Sequence, residues 1–266
     1  MNIIVCVKQI ADPEAPEESF TLDSEKNVFI PSAKITKVLN PFDEQAVEAA
    51  LRIKDQSGAK VTAFSLGAGL DRAVTKKPVF MGADELILLE DEAFADGDSW
   101  STARALAEGI KKNGSYDLIL CGRQAADWNA GQVGLGIANF LGLPYVTVAK
   151  KIEIIDGKAR VERVTSNGHE VVEVQLPAVI TVSNELGQAR YPAIKNIRAA
   201  NKVQPVVWKP SDIGIDPSSV GKNGRRLHLL KLFKPVIQGT CEIMEGESTE
   251  EMAENLALTL RRAKIL

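Results

Sequence analysis

Residues 116–144 read YDLILCGRQAADWNAGQVGLGIANFLGLP. YDLIL is short and apolar, as a buried strand requires, and LGIANFLGLP carries helical spacing up to a glycine and a proline. Between them lies a loop, residues 121–134, with glycines at 122, 131 and 134. A strand that opens through glycines into a helix leaves the first helical N–H groups without intrahelical partners, and such an end attracts anions. The loop is neither G-x-G-x-x-G nor a P-loop sequence, so the motif alone does not name a ligand.

Outward from this loop the same alternation recurs. NIIVCV (2–7), KVTAFSL (60–66) and ELILLE (85–90) are short apolar runs of strand character. The intervening segments are helical. Asn40 stands as N-cap before Pro41 at the first helical position, Asp43 and Glu44 suit the first turn, and Gly58 ends that helix. The stretch 70–83 contains Pro78, which must interrupt it. DSWSTARALAEGIKKNG places Ala103, Leu106 and Ile110 on one face, with Asp96 and Asp98 marking its start. Four apolar strands separated by helices give an α/β fold, a doubly wound and mostly parallel sheet. Ligands of such sheets bind beyond the carboxyl ends of the strands, where strand order reverses.

After Pro144 the pattern alternates instead. VTVAKKIEIIDGKARVERVT reads as a hairpin about Asp156–Gly157, and HEVVEVQLPAVITVS adds further strand, an expected antiparallel extension of the sheet. Residues 203–224 are rich in Pro, Ser and Gly and read as an arm. The chain ends in a helix with Ser248 and Glu251 as a capping box and Met252, Leu256 and Leu260 as an apolar stripe. The expected division is a nucleotide-binding domain over 1–202 and an arm with a partner-facing helix over 203–266.

The 266 residues are 45% hydrophobic and 25% charged with net charge −3, an ordinary globular composition without a basic footprint for nucleic acid. No run approaches the length of a membrane span, and MNIIVCVK reads as a strand rather than a secretion leader. Cys6, Cys121 and Cys241 lie too far apart for metal spacing and suit buried, reduced thiols of a cytoplasmic protein.

Three strand-end loops are expected to converge, after 2–7, after 60–66 and at 121–134. Gly67, Gly69, Gly122, Gly131 and Gly134 let backbone approach a ligand, although each could equally serve only to shape a tight turn. Gln124 and Gln132 can donate and accept hydrogen bonds, and Arg123 can pair with a phosphate. A nucleotide is the favoured ligand class. No catalytic group is expected: His169 and His228 lack a carboxylate or cysteine at a telling spacing, and Asp43 and Glu44 are helix-start charges. Asp96 and Asp98 fail the calcium-loop frame, because Trp100 stands at the third ligand position and Ser101 where the glycine belongs. No metal ligands are assigned. Trp128 could stack on a ring or close the turn.

VCVKQIAD, NPFDEQAVEAALRIK, MGADELILL, GRQAAD with QVG, and LPAVITV with ARYPAIKNIRAA together resemble the β subunit of electron transfer flavoproteins over residues 1–201. EGESTEEMAENL near the end is similar too. The resemblance implies a Rossmann-like fold of the adenine-nucleotide type and a heterodimer with an α subunit that carries FAD at the interface. It implies transfer of electrons between a client flavoprotein dehydrogenase, of the acyl-CoA dehydrogenase type, and a redox acceptor, with no catalytic residues of its own. Whether the complex bifurcates electrons stays open. The family's nucleotide site maps onto Cys6, Asn40, Pro41, Phe42, Asp43, Leu66, Gly67, Arg123, Gln124, Ala125, Asp127, Ala130, Gly131, Gln132, Val133 and Gly134. Its client-docking segment maps onto Asn184 to Ile197, with Arg190, Tyr191 and Asn196 around Ile194 at the tip. DWNAGQVG shares Gln-Val-Gly with relatives that hold a second FAD but lacks their Asp-Gly-Asp-Thr, and Val133 stands where AMP binders carry threonine. The second ligand is FAD or AMP, with FAD slightly preferred. Ser166 and Asn167 replace the acidic or glycine residues expected before LPAV. A stand-alone adenine-nucleotide-binding protein of the universal-stress type is the alternative, but it would not need the arm or the capped helix. An ATP pyrophosphatase would need a Ser-Gly-Gly-x-Asp-Ser loop where VKQIAD stands.

Overall fold

The computed structural model describes residues 1–200, 202–236, 239 and 241–266. Strand β1 (Asn2–Val7) runs up the centre of a nine-stranded sheet. Short ribbons follow it: β2 (Gln9–Ala11) pairs with β5 (Lys37–Leu39), and β3 (Phe20–Asp23) pairs with β4 (Val28–Pro31). Neither ribbon was expected, because strands of three or four residues carry too little periodicity to be recognised. Helix α1 (Pro41–Ser57) begins where the Asn-Pro signal sits and ends at Gly58, whose φ of 69° only glycine adopts cheaply.

Strand β6 (Lys60–Gly67) lies beside β1. Pro78 splits the next helical stretch as expected, into α2 (Arg72–Thr75) and α3 (Lys77–Met81). Strand β7 (Glu85–Glu90), helix α4 (Ser99–Asn113), strand β8 (Leu118–Gly122) and helix α5 (Val133–Leu141) complete the doubly wound half. Along β1 the side chains alternate. Ile3, Val5 and Val7 pack with α1 on one face, while Ile4 and Cys6 pack with α4 and α5 on the other.

Strands β9 (Tyr145–Ile155), β10 (Lys158–Thr165) and β11 (Gly168–Gln175) form the antiparallel extension, with the first turn at Asp156–Gly157. One expectation is corrected here. β12 (Ala178–Val182) does not extend that meander but inserts between β8 and β9, parallel to both. All five of its residues are buried, so AVITV is the unbroken apolar run of a central parallel strand.

Helix α6 (Ile194–Ala200) precedes a second correction. The chain does not leave the domain at 203. Strand β13 (Val206–Trp208) adds to the outer edge of β7, Trp208 meets Phe64 edge-on at 6.2 Å, and Ile213, Ile215 and Val220 are buried on the α4 face. Three-residue strands between prolines leave no periodic trace, so composition alone made this stretch look like linker. The chain departs only after residue 224 and ends in α7 (Thr249–Arg262), which buries none of its residues. Cys241, expected to be buried like Cys6 and Cys121, is exposed on this outlying segment.

The strand order is β11-β10-β9-β12-β8-β1-β6-β7-β13. From β1 the chain winds outward through β6 and β7, then returns to place β8 on the other flank of β1. The connection after β1 goes to the α1 face and that after β8 to the α5 face. The switch point therefore lies between β1 and β8. No helix among the described residues is long and apolar enough to cross a membrane.

Candidate functional site

At the switch point one carboxylate joins both central strands to α1. Asp43 accepts hydrogen bonds from the backbone N–H of Lys8 at 2.7 Å and of Gly122 at 3.1 Å. Burial pushes this carboxyl up to about 7, against the hydrogen bonds of Asn40, Lys8 and Gly122 and the Lys8 charge, which pull it down. Gly122 has no alternative at this contact: a Cβ there would fall 2.4 Å from Asp43 Oδ1 and 2.7 Å from the Phe42 carbonyl carbon.

Asn40 occupies the N-cap of α1, yet its side chain caps nothing. It turns instead to the opening loop, where Nδ2 donates to the Gln124 carbonyl at 2.9 Å and Oδ1 accepts from the Ala126 N–H at 3.1 Å. Lys8 spans the same gap, its ammonium 2.7 Å from Asp127. Within the loop, Gln124 Nε2 donates to Asn129 Oδ1 at 2.8 Å, and Asn129 and Gly131 both take positive φ, 53° and 63°. The turn delivers Gln132 to the start of α5, where its side chain makes no capping bond. The N–H groups of Val133, Gly134 and Leu135 have no carbonyl available within the helix. Gly134 packs its Cα against β12: a Cβ would lie 2.7 Å from Thr181 Cγ2. Ala130 lies beside Gly131, and Ala125 closes the turn by accepting from Asn129 N–H at 2.7 Å.

Arg123 adds a further charge to this mouth. Its backbone N–H continues the sheet ladder to Val182 at 2.9 Å, its guanidinium lies 5.0 Å over the Phe42 ring, and its Nε is buried without a partner. Glu185 is held below its usual range by the Ser183 hydroxyl, with a lesser contribution from the Arg123 charge. Leu66 and Gly67 end β6 beside β1, where the buried Ser65 hydroxyl is also unpartnered. Cys6 and Cys121 are in register on β1 and β8. The adjacent Cys6 thiol, with burial, pushes the Cys121 thiol well above its ordinary range. Trp128 is 62% exposed, so it does not close the turn by burial.

Among the described residues, then, the structure brings the expected nucleotide residues to one sheet edge. Lys8 and Ser65 were missed, though a cation directly after the first strand was a usable signal. An unpartnered guanidinium nitrogen, an unpartnered hydroxyl and a free helix N-terminus are the donors a nucleotide's phosphates and ribose need. The residues present fit such a group.

The segment expected to dock a client is held at both ends and bare between them. Glu48, on α1 and almost wholly buried, accepts from Arg190 Nε at 2.8 Å and from Arg52 Nε at 2.8 Å. Burial opposes ionisation of Glu48, but these hydrogen bonds prevail and hold it below its usual range. Arg190 also meets Asp55 at 2.9 Å, and Arg52 donates to the Leu186 carbonyl at 3.1 Å. Beyond the tip, Asn196 Nδ2 donates to the Met81 carbonyl at 3.1 Å. Tyr191 and Ile194 between these ties are 82% and 72% exposed.

The electron transfer flavoprotein domain family matches residues 30–213. The chain is 37% identical to the caffeyl-CoA reductase–Etf complex subunit CarD of Acetobacterium woodii, over the whole of both chains. It is 35% identical to the electron transfer flavoprotein subunit beta of Thermoanaerobacterium thermosaccharolyticum, again over the whole of both. With the beta subunit of Syntrophomonas wolfei identity is 40%, covering 76% of this chain and 77% of that one. The chain belongs to the electron transfer flavoprotein family. Its relatives place it with the beta subunits, and its role is electron transfer. The universal-stress alternative finds no support among them. The matched range spans α1, the opening loop and the segment that carries Ile194, while Cys6 and Lys8 of the mouth lie before it.

Proposed function

We propose that this chain carries electrons as one half of a heterodimer whose other subunit holds FAD at the shared interface. A second adenine nucleotide occupies the mouth between β1 and β8. The observation that carries this reading is the buried, unpartnered Nε of Arg123 in a loop that runs through the positive-φ Gly131 to the N-terminus of α5. Bound flavin supplies the redox chemistry. The chain's own residues do the rest. Asn40, Lys8 and Asp43 hold the opening loop against β1, Arg123 and the first N–H groups of α5 receive phosphate charge, and Ser65 offers a hydroxyl near the end of β6. The second nucleotide is FAD in preference to AMP, because Val133 puts no hydroxyl at the first turn of α5.

The residues from 225 onward and the unburied face of α7 pack on the partner subunit. Tyr191 and Ile194 meet a client flavoprotein dehydrogenase, with Arg190 and Asn196 holding the segment in place. The protein works in the cytoplasm as a carrier, not as an enzyme with its own catalytic residues. Purifying the native complex, releasing its cofactors and counting them tests the proposal. Two FAD per heterodimer is the expected count. One FAD and one AMP overturns the second-flavin preference, and a single FAD with no other nucleotide overturns the loop assignment.

A further inference from the structure

The turn before α4 carries acidic residues that neither the nucleotide mouth nor the docking segment uses. Asp98 is the N-cap of α4: Oδ1 accepts from the Ser101 N–H at 2.9 Å. Its other oxygen faces away from the helix and accepts two backbone N–H groups from far along the chain, Arg226 at 2.8 Å and Leu227 at 3.0 Å. These residues lie just past the point where the chain leaves the domain. Around them the fit is close. The Arg226 guanidinium lies 4.6 Å over the Trp100 ring, itself edge-on to Phe140 at 4.8 Å. Arg225 Nε donates to the Asp96 carbonyl, and Lys222 N–H donates to the Ala95 carbonyl at 2.9 Å. Gly221, at φ 54°, passes so near the backbone of this turn that a Cβ would fall 2.1 Å from the Ala93 carbonyl oxygen. Burial alone would raise the Asp98 carboxyl, but the hydrogen bonds from Ser101, Arg226 and Leu227 outweigh it and hold it low, so it meets those N–H groups as an anion.

Beyond Leu227, among the described residues, the chain meets the domain again at the β3–β4 ribbon and at Glu17. Asn27 at the tip of the β3–β4 ribbon pairs with the backbone of Leu230 and Leu232, and Lys234 meets Glu17 at 2.8 Å. Leu230 is 90% exposed, and Val236 and Ile243 are nearly as bare. The direction in which these apolar side chains are presented is set first at the root, with the Asn27 and Glu17 contacts farther along.

We propose that Asp98 is a positioning residue for subunit association: its carboxylate fixes the root of the arm on the N-terminus of α4 and so aims the exposed residues from 227 onward at the partner subunit. This rests on the reading that the arm binds that subunit. Without the anchor the arm samples many directions, and association must then supply the ordering that the free subunit otherwise holds in advance. The anchor differs from an ordinary helix cap because one carboxylate serves two elements, and the two roles separate by substitution. Asp98→Ser keeps a good N-cap but has no second oxygen for Arg226 and Leu227. Leu227→Pro removes one of the two arm donors and leaves α4 untouched.

The experiment uses the full chain and its partner subunit. Amide hydrogen exchange at Arg226 and Leu227 is measured in the free chain, and heterodimer dissociation constants are measured for wild type, Asp98→Ser, Leu227→Pro and a chain ending at residue 224. Asp98→Ser is expected to raise exchange at both amides about tenfold or more, and to weaken association about tenfold, with unchanged exchange in the body of α4. Leu227→Pro is expected to weaken association in the same direction and carries the test if Asp98→Ser fails to fold. Wild-type affinity in a folded Asp98→Ser chain, or in Leu227→Pro where the former does not fold, overturns the anchor. If the chain ending at 224 associates as tightly as wild type, the arm reading itself fails. If only the truncation loses affinity, the arm reading stands and the anchor alone is wrong.

Discussion

Asp43 accepts a hydrogen bond from the Gly122 N–H at 3.1 Å, which fastens the third residue of the first long helix to the mouth of a loop 79 positions later. The same carboxylate takes the Lys8 N–H at 2.7 Å. Two strand ends and one helix start thus share a single buried side chain at the switch point of the sheet.

A pH dependence follows. With its folded value pushed up to about 7 by burial, Asp43 keeps its proton in the native state over a range where the unfolded chain, near the ordinary value of about 3.9, has lost it. Its contribution to stability is therefore most favourable below about pH 4, declines as pH rises from there to about 7, and is flat above. Asp43→Asn removes this slope and adds a constant loss, since an amide cannot accept from both N–H groups. Denaturant midpoints from pH 4 to 8 should show the gap between wild type and Asp43→Asn narrowing as pH rises through this window. A gap that does not change with pH means Asp43 titrates alike in both states.

Gly122 and Gly131 should fail in different ways. Gly122→Ala puts a methyl group into Asp43 and the Phe42 backbone, and should destabilise the fold by about 2–3 kcal/mol. Gly131→Val has room, its nearest neighbour being the Arg123 carbonyl at 3.4 Å, but forces a β-branched residue to a φ of 63°. The loop should leave that conformation and the complex should lose its second nucleotide while keeping the interface flavin. Gly131→Asn, which tolerates positive φ, should retain both. Denaturant melts read Gly122→Ala, and nucleotide release followed by chromatography reads the two Gly131 variants. Full retention by Gly131→Val would remove Gly131 from the binding site.

Ile194 is exposed between two ties, so Ile194→Ala should change stability by less than about 0.5 kcal/mol. If the side chain enters an apolar pocket of a client, kcat/KM for that client should fall about tenfold or more, with flavin content unchanged. Stopped-flow reduction by an acyl-CoA dehydrogenase measures this. Equal rates in mutant and wild type would leave Ile194 without a docking role.

Truncations on either side of the edge strand should differ sharply. Ending the chain at residue 224 should leave the melting transition of the domain nearly unchanged. Ending it at 202 removes Trp208, Ile213, Ile215 and Val220 from the α4 face. Each buried side chain is worth at most about 1.5–3 kcal/mol, so the shorter chain should be severely destabilised or unfolded. Similar melting curves for both would return the arm boundary to 203.

Local patterns told the fold class and most long elements, because their causes are local. Pro41 after Asn40 starts α1, Gly58 stops it, Pro78 breaks the next helix, and Asp156–Gly157 turns a hairpin. The family likeness, carried by runs such as GRQAAD and ARYPAIKNIRAA, likewise lay in the order of residues along the chain. Strand order did not. Nothing near AVITV says that it lies between β8 and β9, since any buried parallel strand looks the same from within. Asn40 carries a capping signature, yet its side chain holds the 124–126 backbone, because only the folded chain brings a better pair of partners within reach. Glu48 and Arg190, 142 positions apart, pair for the same reason. Val206–Trp208 needed the free edge of β7 to become a strand at all. Propensity and capping act over a few residues and can be read in order. A buried hydrogen bond or an edge pairing depends on which distant groups arrive beside it, and packing of the sheet decided that.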